Sequence, residues 1–250
     1  MAQQGRSPLA GQVALVTGAS SGIGAATARE LARRGVTVIL AARREEELAA
    51  QVCAITEAGG VAQAMVADVA DAASVAQLAE RAEAAYGRVD ILVNNAGIGI
   101  HHAFAETPPE EVTRCVQVNL LGTMLLTHAL LPGMLERKQG AIIAVASMAG
   151  HIATDPVYSA TKFGMRGFLL SLRRQIRSSG VSVSVVSPGF VRTAITANMR
   201  GRLPGPEIVA RVIARLVAHP RREVIVPGYY RVAAWVESAA PWIVDRAISR

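Results

Sequence analysis

The chain has 250 residues, enough for one large α/β domain or two small ones. It is 51% hydrophobic and 18% charged, and its 22 Gly and 11 Pro follow no repeat, which excludes a disordered chain and a collagen. The net charge of +7 comes from 24 Arg and 2 Lys spread over the whole length without a nucleic-acid-binding motif, so it reads as an Arg-rich solvated surface.

The N-terminal stretch Met1–Gln12 lacks an apolar signal-peptide run. The longest apolar stretch, Leu120–Leu135, is broken by His128 and Pro132. A cytoplasmic protein is expected. Cys53 and Cys115 are far apart and form no CxxC, which excludes a disulfide framework or zinc site and leaves two small buried hydrophobes. Strand-like runs fall at Val13–Val16, Val36–Leu40, Ile91–Val93, Ile142–Val145 and Val181–Val186, with fainter ones at Val61–Val66 and Val224–Val226. Between them, helical patterns cover Ala25–Arg34, Glu45–Glu57, Ser74–Tyr86, Glu110–Leu135, Val157–Ser178 and Glu207–Ala218. Strand–helix alternation with continuously apolar strands predicts a doubly wound parallel sheet with helices on both faces. No linker interrupts it, so residues 1–250 read as a single α/β domain.

The first strand runs directly into TGASSGIG, Thr17–Gly24, and then into a helix. Gly18 permits a tight turn, Gly22 lets backbone approach a pyrophosphate, and Gly24 permits close helix–strand packing. With Ser20, Ser21 and Ile23 these residues form a candidate dinucleotide turn, whose phosphates would meet the helix N-terminus. The second strand ends in Ala41, Ala42, Arg43 and Arg44. An acid at Ala42 would have bound the ribose 2′-hydroxyl of NAD; it is missing, and Arg43, backed by Arg44, can hold a 2′-phosphate instead. The expectation is NADP(H), with NAD(H) as the alternative. Glu45–Glu47 then stabilise a helix start through its dipole.

Asp68, followed by Val69, ends a short strand and is a candidate for an adenine amino group. Asn94, Asn95, Ala96 and Gly97 end another. The adjacent His101 and His102 lack acid or cysteine neighbours at ligand spacing and read as a loop or pocket rim, not a metal site. Asn119 is an amide inside an apolar helix and needs a partner, which a core hydrogen bond would satisfy. Ser147 follows the strand Ile142–Val145 at the end where ligands sit in open sheets, and its hydroxyl can bond a substrate carbonyl. Tyr158 and Lys162 lie four apart in YSATK and share a helix face. A nearby ammonium favours the phenolate and would draw the tyrosine pKa toward neutral. Pro188, Gly189, Val191 and Thr193, in SPGFVRT, are candidates for a nicotinamide carboxamide.

These elements, in this order over residues 13–195, resemble the short-chain dehydrogenase/reductase family. The resemblance implies a Rossmann-type fold and an NADP(H)-dependent oxidoreductase interconverting an alcohol and a ketone or aldehyde. It implies Tyr158 as general acid/base, Lys162 tuning it and binding the nicotinamide ribose, Ser147 polarising the carbonyl, and Asn119 holding a water. It also implies a homodimer or homotetramer through the helices Glu110–Leu135 and Val157–Ser178. A non-catalytic dinucleotide sensor on the same fold is the alternative, and the intact Ser147, Tyr158 and Lys162 set argues against it. The chain departs from the family at Ser21, where some NADP enzymes carry a basic residue, and in the shorter spacing from Ser147 to Tyr158. Ile98–Pro109, His151–Val157 and Ala194–Pro206 are expected to shape the pocket, with Ile98, Ile100, Phe104, Ile152, Val157, Phe190 and Ile195 suiting an apolar or bulky substrate. Met148 and Met165 read as packing. The tail, residues 229–250, alternates Trp235 and Trp242 with charges. Its alternative roles are packing on the domain or a second subunit, attachment to a membrane surface, or a substrate lid.

Overall fold

The computed structural model describes residues 7–100, 102–193, 196 and 202–248. Seven strands form one parallel sheet: β1 (Val13–Thr17), β2 (Thr37–Ala42), β3 (Val61–Val66), β4 (Ile91–Asn94), β5 (Gly140–Val145), β6 (Val181–Pro188) and β7 (Glu223–Val226). Their order is β3-β2-β1-β4-β5-β6-β7, with all pairings parallel. The order reverses between β1 and β4, and at such a switch point a crevice opens at the carboxyl ends of the strands. Both fainter strand patterns form, β3 and β7, at the two sheet edges. Edge strands bury less, which explains their weaker apolar signal.

Nine helices lie among the described residues: α1 (Gly22–Ala32), α2 (Glu45–Glu57), α3 (Ala72–Tyr86), α4 (Pro109–Val116), α5 (Gly122–Glu136), α6 (Pro156–Gln175), α7 (Glu207–Ala218), α8 (Tyr230–Ala239) and α9 (Pro241–Ile248). One face of the sheet packs Leu78, Leu126, Leu130, Met134, Met165 and Leu169 of α3, α5 and α6. The other packs Leu31, Leu48, Ile55, Ile213 and Leu216 of α1, α2 and α7. Covering both faces is why β1 is buried at every residue.

Three departures from the sequence pattern bear on the site. First, α1 starts at Gly22, earlier than the apolar periodicity indicated, because glycines carry no such signal. Second, the helix expected over Glu110–Leu135 contains a π turn, Gln117–Leu121, centred on Asn119. Single π turns inside α-helices gather at functional sites. Just beyond it, a Cβ on Gly122 would lie 2.2 Å from the Val69 carbonyl oxygen, so glycine alone allows this approach. Third, α6 opens with Asp155 as N-cap, whose carboxylate accepts the Tyr158 backbone N–H at 2.6 Å, and with Pro156 in the first turn. That cap sets the register of Tyr158 and Lys162.

The span Pro109–Glu136 is long and apolar enough to cross a membrane, with mean hydropathy 1.4 over its best 18 residues. Its Leu126, Leu130 and Met134 are nevertheless fully buried in the domain, as in a core helix.

Candidate active site

The turn after β1 is stitched to the turn after β4. The Thr17 hydroxyl accepts the backbone N–H groups of Asn95 and Ala96 at 3.0 and 3.1 Å, and the Asn95 amide donates to the Thr17 carbonyl at 2.8 Å. Gly18 and Gly22 have φ of +63° and +57°, the left-handed region that favours glycine. A Cβ on Gly24 would sit 2.2 Å from the Gly18 carbonyl oxygen. Among the described residues Ser21 makes no side-chain capping bond to α1, and the first turn of α1 holds no acid. The N–H groups of that turn are therefore free of a side-chain competitor, in a positive helix-dipole field. A pyrophosphate fits this cradle. Thr193 closes its far side, within 3.7 Å of a Cβ built on Gly22.

At the end of β2, it is Arg44, more than Arg43, that reaches the turn. Its Nη2 donates to the hydroxyls of Ser20 and Ser21, each at 2.8 Å, and its Nη1 pairs with Glu47 at 3.2 Å. Arg43 is exposed beside it. Ser21, where a basic residue was missing, is thus supplied with a guanidinium from the turn between β2 and α2. Asp68 is held differently from the reading made on sequence. Arg114 of α4 donates to its Oδ2 at 2.6 Å and Ala70 N–H to its Oδ1 at 3.0 Å. Burial pushes this carboxyl up, but those two bonds outweigh it and hold its pKa below the ordinary value. Asp68 is first a strut between the β3 turn and α4, and no local pattern marks Arg114 as its partner.

Ser147 follows β5, and its hydroxyl accepts the Ala149 N–H at 3.1 Å. Tyr158 and Lys162 face it from α6. Lys162 is 3% exposed, and its ammonium lies 5.5 Å from the Tyr158 ring centre and donates to the Val145 carbonyl at 3.1 Å. Burial brings its pKa down to about 8. Tyr158 moves the other way. Burial raises its pKa above 10, and the opposing hydrogen bond with Ser147 does not cancel this. The sequence reading expected the ammonium to draw the phenol down; in the folded chain desolvation of the phenolate wins. The phenol therefore holds its proton at neutral pH.

Asn119, fully buried, accepts Ile98 N–H at 2.8 Å and donates to Ile98 O at 2.9 Å, Thr161 Oγ1 at 3.1 Å and Cys115 Sγ at 3.3 Å. Its side chain thus clamps the loop after Gly97 to α6. A Cβ on Gly97 would lie 3.4 Å from both the Lys162 ammonium and the Asn119 side-chain oxygen, so the β4 turn meets the catalytic candidates here. Pro188 ends β6; Gly189 N–H donates to Val226 O at 2.8 Å, and Val191 is buried.

Two clefts are lined by the expected pocket segments. One, of about 490 Å³, lies between Ile98–Ile100 and Glu110, Glu111 and Arg114. The other, of about 390 Å³, lies between Ala153–Pro156 and Ser159, Ala160 and Phe163. Neither lining includes Ser147, Tyr158 or Lys162. His102 approaches Glu111 at 3.7 Å. His101 and Ile195 lie outside the described residues, as does part of Ala194–Pro206.

The sequence reading missed a polar cluster beneath this site. Glu223, at the start of β7, accepts Arg166 through both oxygens at 2.7 and 3.0 Å, His151 at 2.9 Å and the Ser187 hydroxyl at 3.3 Å. His151 also bonds Ser187 at 3.1 Å. One carboxylate thus joins the turn after Ser147, the helix face one turn past Lys162, and the residue before Pro188. Only the run YSATKFGMR, with Arg166 four past Lys162, hinted that α6 presents a second cation inward.

The family model described as short chain dehydrogenase matches residues 12–203. The ketoacyl reductase HetN of a Nostoc species is 37% identical over 87% of this chain and 79% of its own. Among solved structures, a metagenomic short-chain oxidoreductase in complex with NADP is 37% identical, with a TM-score of 0.78 over 87% of this chain and 97% of that one. A variant of actinorhodin polyketide ketoreductase with NADPH is 33% identical, with a TM-score of 0.80 over 87% and 96%.

The Glu223 cluster makes stability depend on acid pH in a defined direction. Burial alone would raise its pKa, but the bonds from His151 and Arg166 pull it from 4.5 down to about 2. The unfolded chain therefore takes up this proton first. The contribution is complete above pH 4.5 and is lost as pH falls from there through about 2. Glu223→Gln is expected to lower unfolding free energy by roughly 1.5–3 kcal/mol at pH 7, the worth of charge-assisted bonds, and to flatten the acid limb. Denaturant titrations from neutral pH to pH 3 check this; an unchanged midpoint and an unchanged acid limb would refute it.

Proposed function

The chain belongs to the short-chain dehydrogenase family, and from that premise we propose that it is an NADPH-dependent reductase of an apolar or bulky ketone or aldehyde. One observation carries the reading. The carboxyl ends of β1, β4, β5 and β6 bring an uncapped helix N-terminus to the same crevice as Ser147, Tyr158 and Lys162.

In this reading the α1 amides with Ser20, Ser21 and Ile23 would hold the pyrophosphate, and Arg43 and Arg44 the 2′-phosphate. Asp68 and Val69 would border the adenine. Asn95, Ala96, Gly97 and the segment Pro188, Gly189, Val191 and Thr193 would border the nicotinamide, with Lys162 donating to its ribose. When bound, NADPH supplies a hydride to the carbonyl carbon. Ser147 donates a hydrogen bond to the carbonyl oxygen, and Tyr158 gives up its phenolic proton to that oxygen as it becomes a hydroxyl. The high pKa of the buried phenol supports the reducing direction, since the acid is loaded at neutral pH. Lys162, charged below about pH 8, stabilises the phenolate that remains. Asn119 keeps the loop after Gly97 seated against α6. Self-association is assigned to the outer faces of α4–α6, where Val116, Leu121 and Phe163 are exposed.

Tyr158→Phe keeps the ring and removes the transferable proton. Turnover with NADPH and an aryl ketone is expected to fall by roughly 10²–10⁴-fold, the usual worth of a positioned acid, with NADPH affinity retained. Turnover near wild type would sink the assignment. Cofactor choice is read from Ala42→Asp combined with Arg43→Ala and Arg44→Ala. Removing charge-assisted bonds of roughly 1.5–3 kcal/mol and adding repulsion should reverse a preference of about 10- to 150-fold. The ratio of kcat/KM with NADPH and NADH measures it, and an unchanged ratio would show that the end of β2 does not read the 2′ position.

A further inference from the structure

The Glu223 cluster stands where three segments of the candidate site meet, and none of the proposed proton or hydride steps passes through it. The first segment is the turn Ser147–His151. Its Ser147 carbonyl accepts Gly150 N–H and its Met148 carbonyl accepts His151 N–H, each at 2.9 Å. A Cβ on Gly150 would lie 2.9 Å from the Lys162 carbonyl oxygen, so this turn rides directly on α6 at the lysine. The second segment is α6 itself, with Arg166 one turn beyond Lys162. The third is the end of β6, where Ser187, fully buried, stands immediately before Pro188 and Gly189.

A carboxylate only accepts, so His151 presents an N–H from Nε2 to Glu223 Oε1 at 2.9 Å, and Ser187 its hydroxyl at 3.3 Å. Arg166 forks onto both oxygens. One side chain thus receives donors from all three segments. The His151 and Glu223 side chains are 10% and 15% exposed, so water competes little for these bonds.

Two rival roles fail on geometry. A nucleophilic triad needs serine and acid on opposite ring nitrogens of its histidine. Here both meet Nε2, and Ser187 is out of reach of solvent. A clamp that merely docks α6 on the sheet is supplied elsewhere: Arg173 donates to the Val183 carbonyl at 2.9 Å, and Met165 and Leu169 are buried in the core. What Glu223 adds is a common anchor for the ends that bear the chemistry.

We propose that Glu223 is a positioning residue for the reaction: through His151, Ser187 and Arg166 it sets the Ser147 turn and the nicotinamide-bordering segment Pro188–Gly189 against Lys162. This rests on the reductase reading and deepens it. A displacement of about 1 Å at a reacting centre can cost roughly 10²-fold in rate, so loss of the anchor is read as lost rate. Among the described residues, the turns after β1, β2 and β3, assigned to the adenosine half of the cofactor, take no part in the cluster. The anchor therefore acts on the nicotinamide end alone.

Glu223→Gln keeps the shape, removes the charge and turns an amide N–H toward Arg166. The full-length protein is compared at a temperature where circular dichroism shows both forms folded. There kcat with NADPH and an aryl ketone is expected to fall by roughly tenfold or more, with KM for the ketone within about threefold. NADPH affinity, read from nicotinamide fluorescence, should fall about fivefold, while that of adenosine 2′,5′-bisphosphate, which lacks the nicotinamide, stays within about twofold. His151→Ala leaves the Arg166–Glu223 pair in place and frees only the Ser147 turn. Its kcat should fall about fivefold with both affinities kept, and it decides the matter if Glu223→Gln does not fold. A kcat close to wild type in either folded variant overturns the proposal and leaves the cluster a stability device. Equal loss of NADPH and bisphosphate affinity in Glu223→Gln overturns it too, because the whole cofactor cleft would have loosened. A wild type that binds NADPH but reduces no carbonyl removes the reductase reading, and the split between the two ligands then still tests the anchor.

Discussion

The buried ammonium of one lysine governs the layout of the candidate site. Lys162 is charged at neutral pH, although burial brings its pKa down from 10.5 to about 8, and one of its three N–H groups donates to the Val145 carbonyl. A buried charge survives only where polar partners are fixed around it. The parallel sheet fixes them. β5 ends at Val145 two residues before Ser147, β4 ends at the Asn94–Gly97 turn, and the Asp155 cap starts α6 in the register that turns Lys162 inward. Gly97 packs beside both, a Cβ there lying in contact range of the ammonium and the Asn119 side chain. The donors that remain on Lys162 are what the proposed ribose contact would use.

Two carboxylates brace this arrangement from outside. Glu223 ties α6, β6 and the turn after Ser147 through Arg166, Ser187 and His151. Asp68 ties the β3 turn to α4 through Arg114. Both sit where a long-range cation outweighs the cost of burial, so both pKa values lie below the ordinary carboxylate range. Position at a reaction centre demands rigidity, and charge-assisted bonds between separate elements supply it.

Much of this was legible in the chain. Apolar runs marked every strand, with β3 and β7 the faintest, and TGASSGIG announced a turn in which a Cβ on Gly24 or Gly18 would lie 2.2 or 2.9 Å from backbone. Spacing placed Tyr158 above Lys162. What was not legible depends on partners distant in sequence. The Arg166–Glu223 pair spans 57 residues and Asp68–Arg114 spans 46, and no local pattern marks either. The sign of the Tyr158 shift was misread because sequence shows the neighbouring charge but not the depth of burial, and burial is the larger effect. The π turn at Asn119 was hidden by an apolar pattern that suits α and π turns alike.

Burial, not the adjacent ammonium, setting the proton affinity of Tyr158 is the claim on which the proposed reducing chemistry turns. Its most direct test is the absorbance titration of phenolate in the cofactor-free protein, taken as the difference between wild type and Tyr158→Phe. The account predicts that the Tyr158 component ionises above pH 10, later than an ordinary tyrosine. A midpoint near neutral pH would contradict it, and would mean that the Lys162 charge dominates the site.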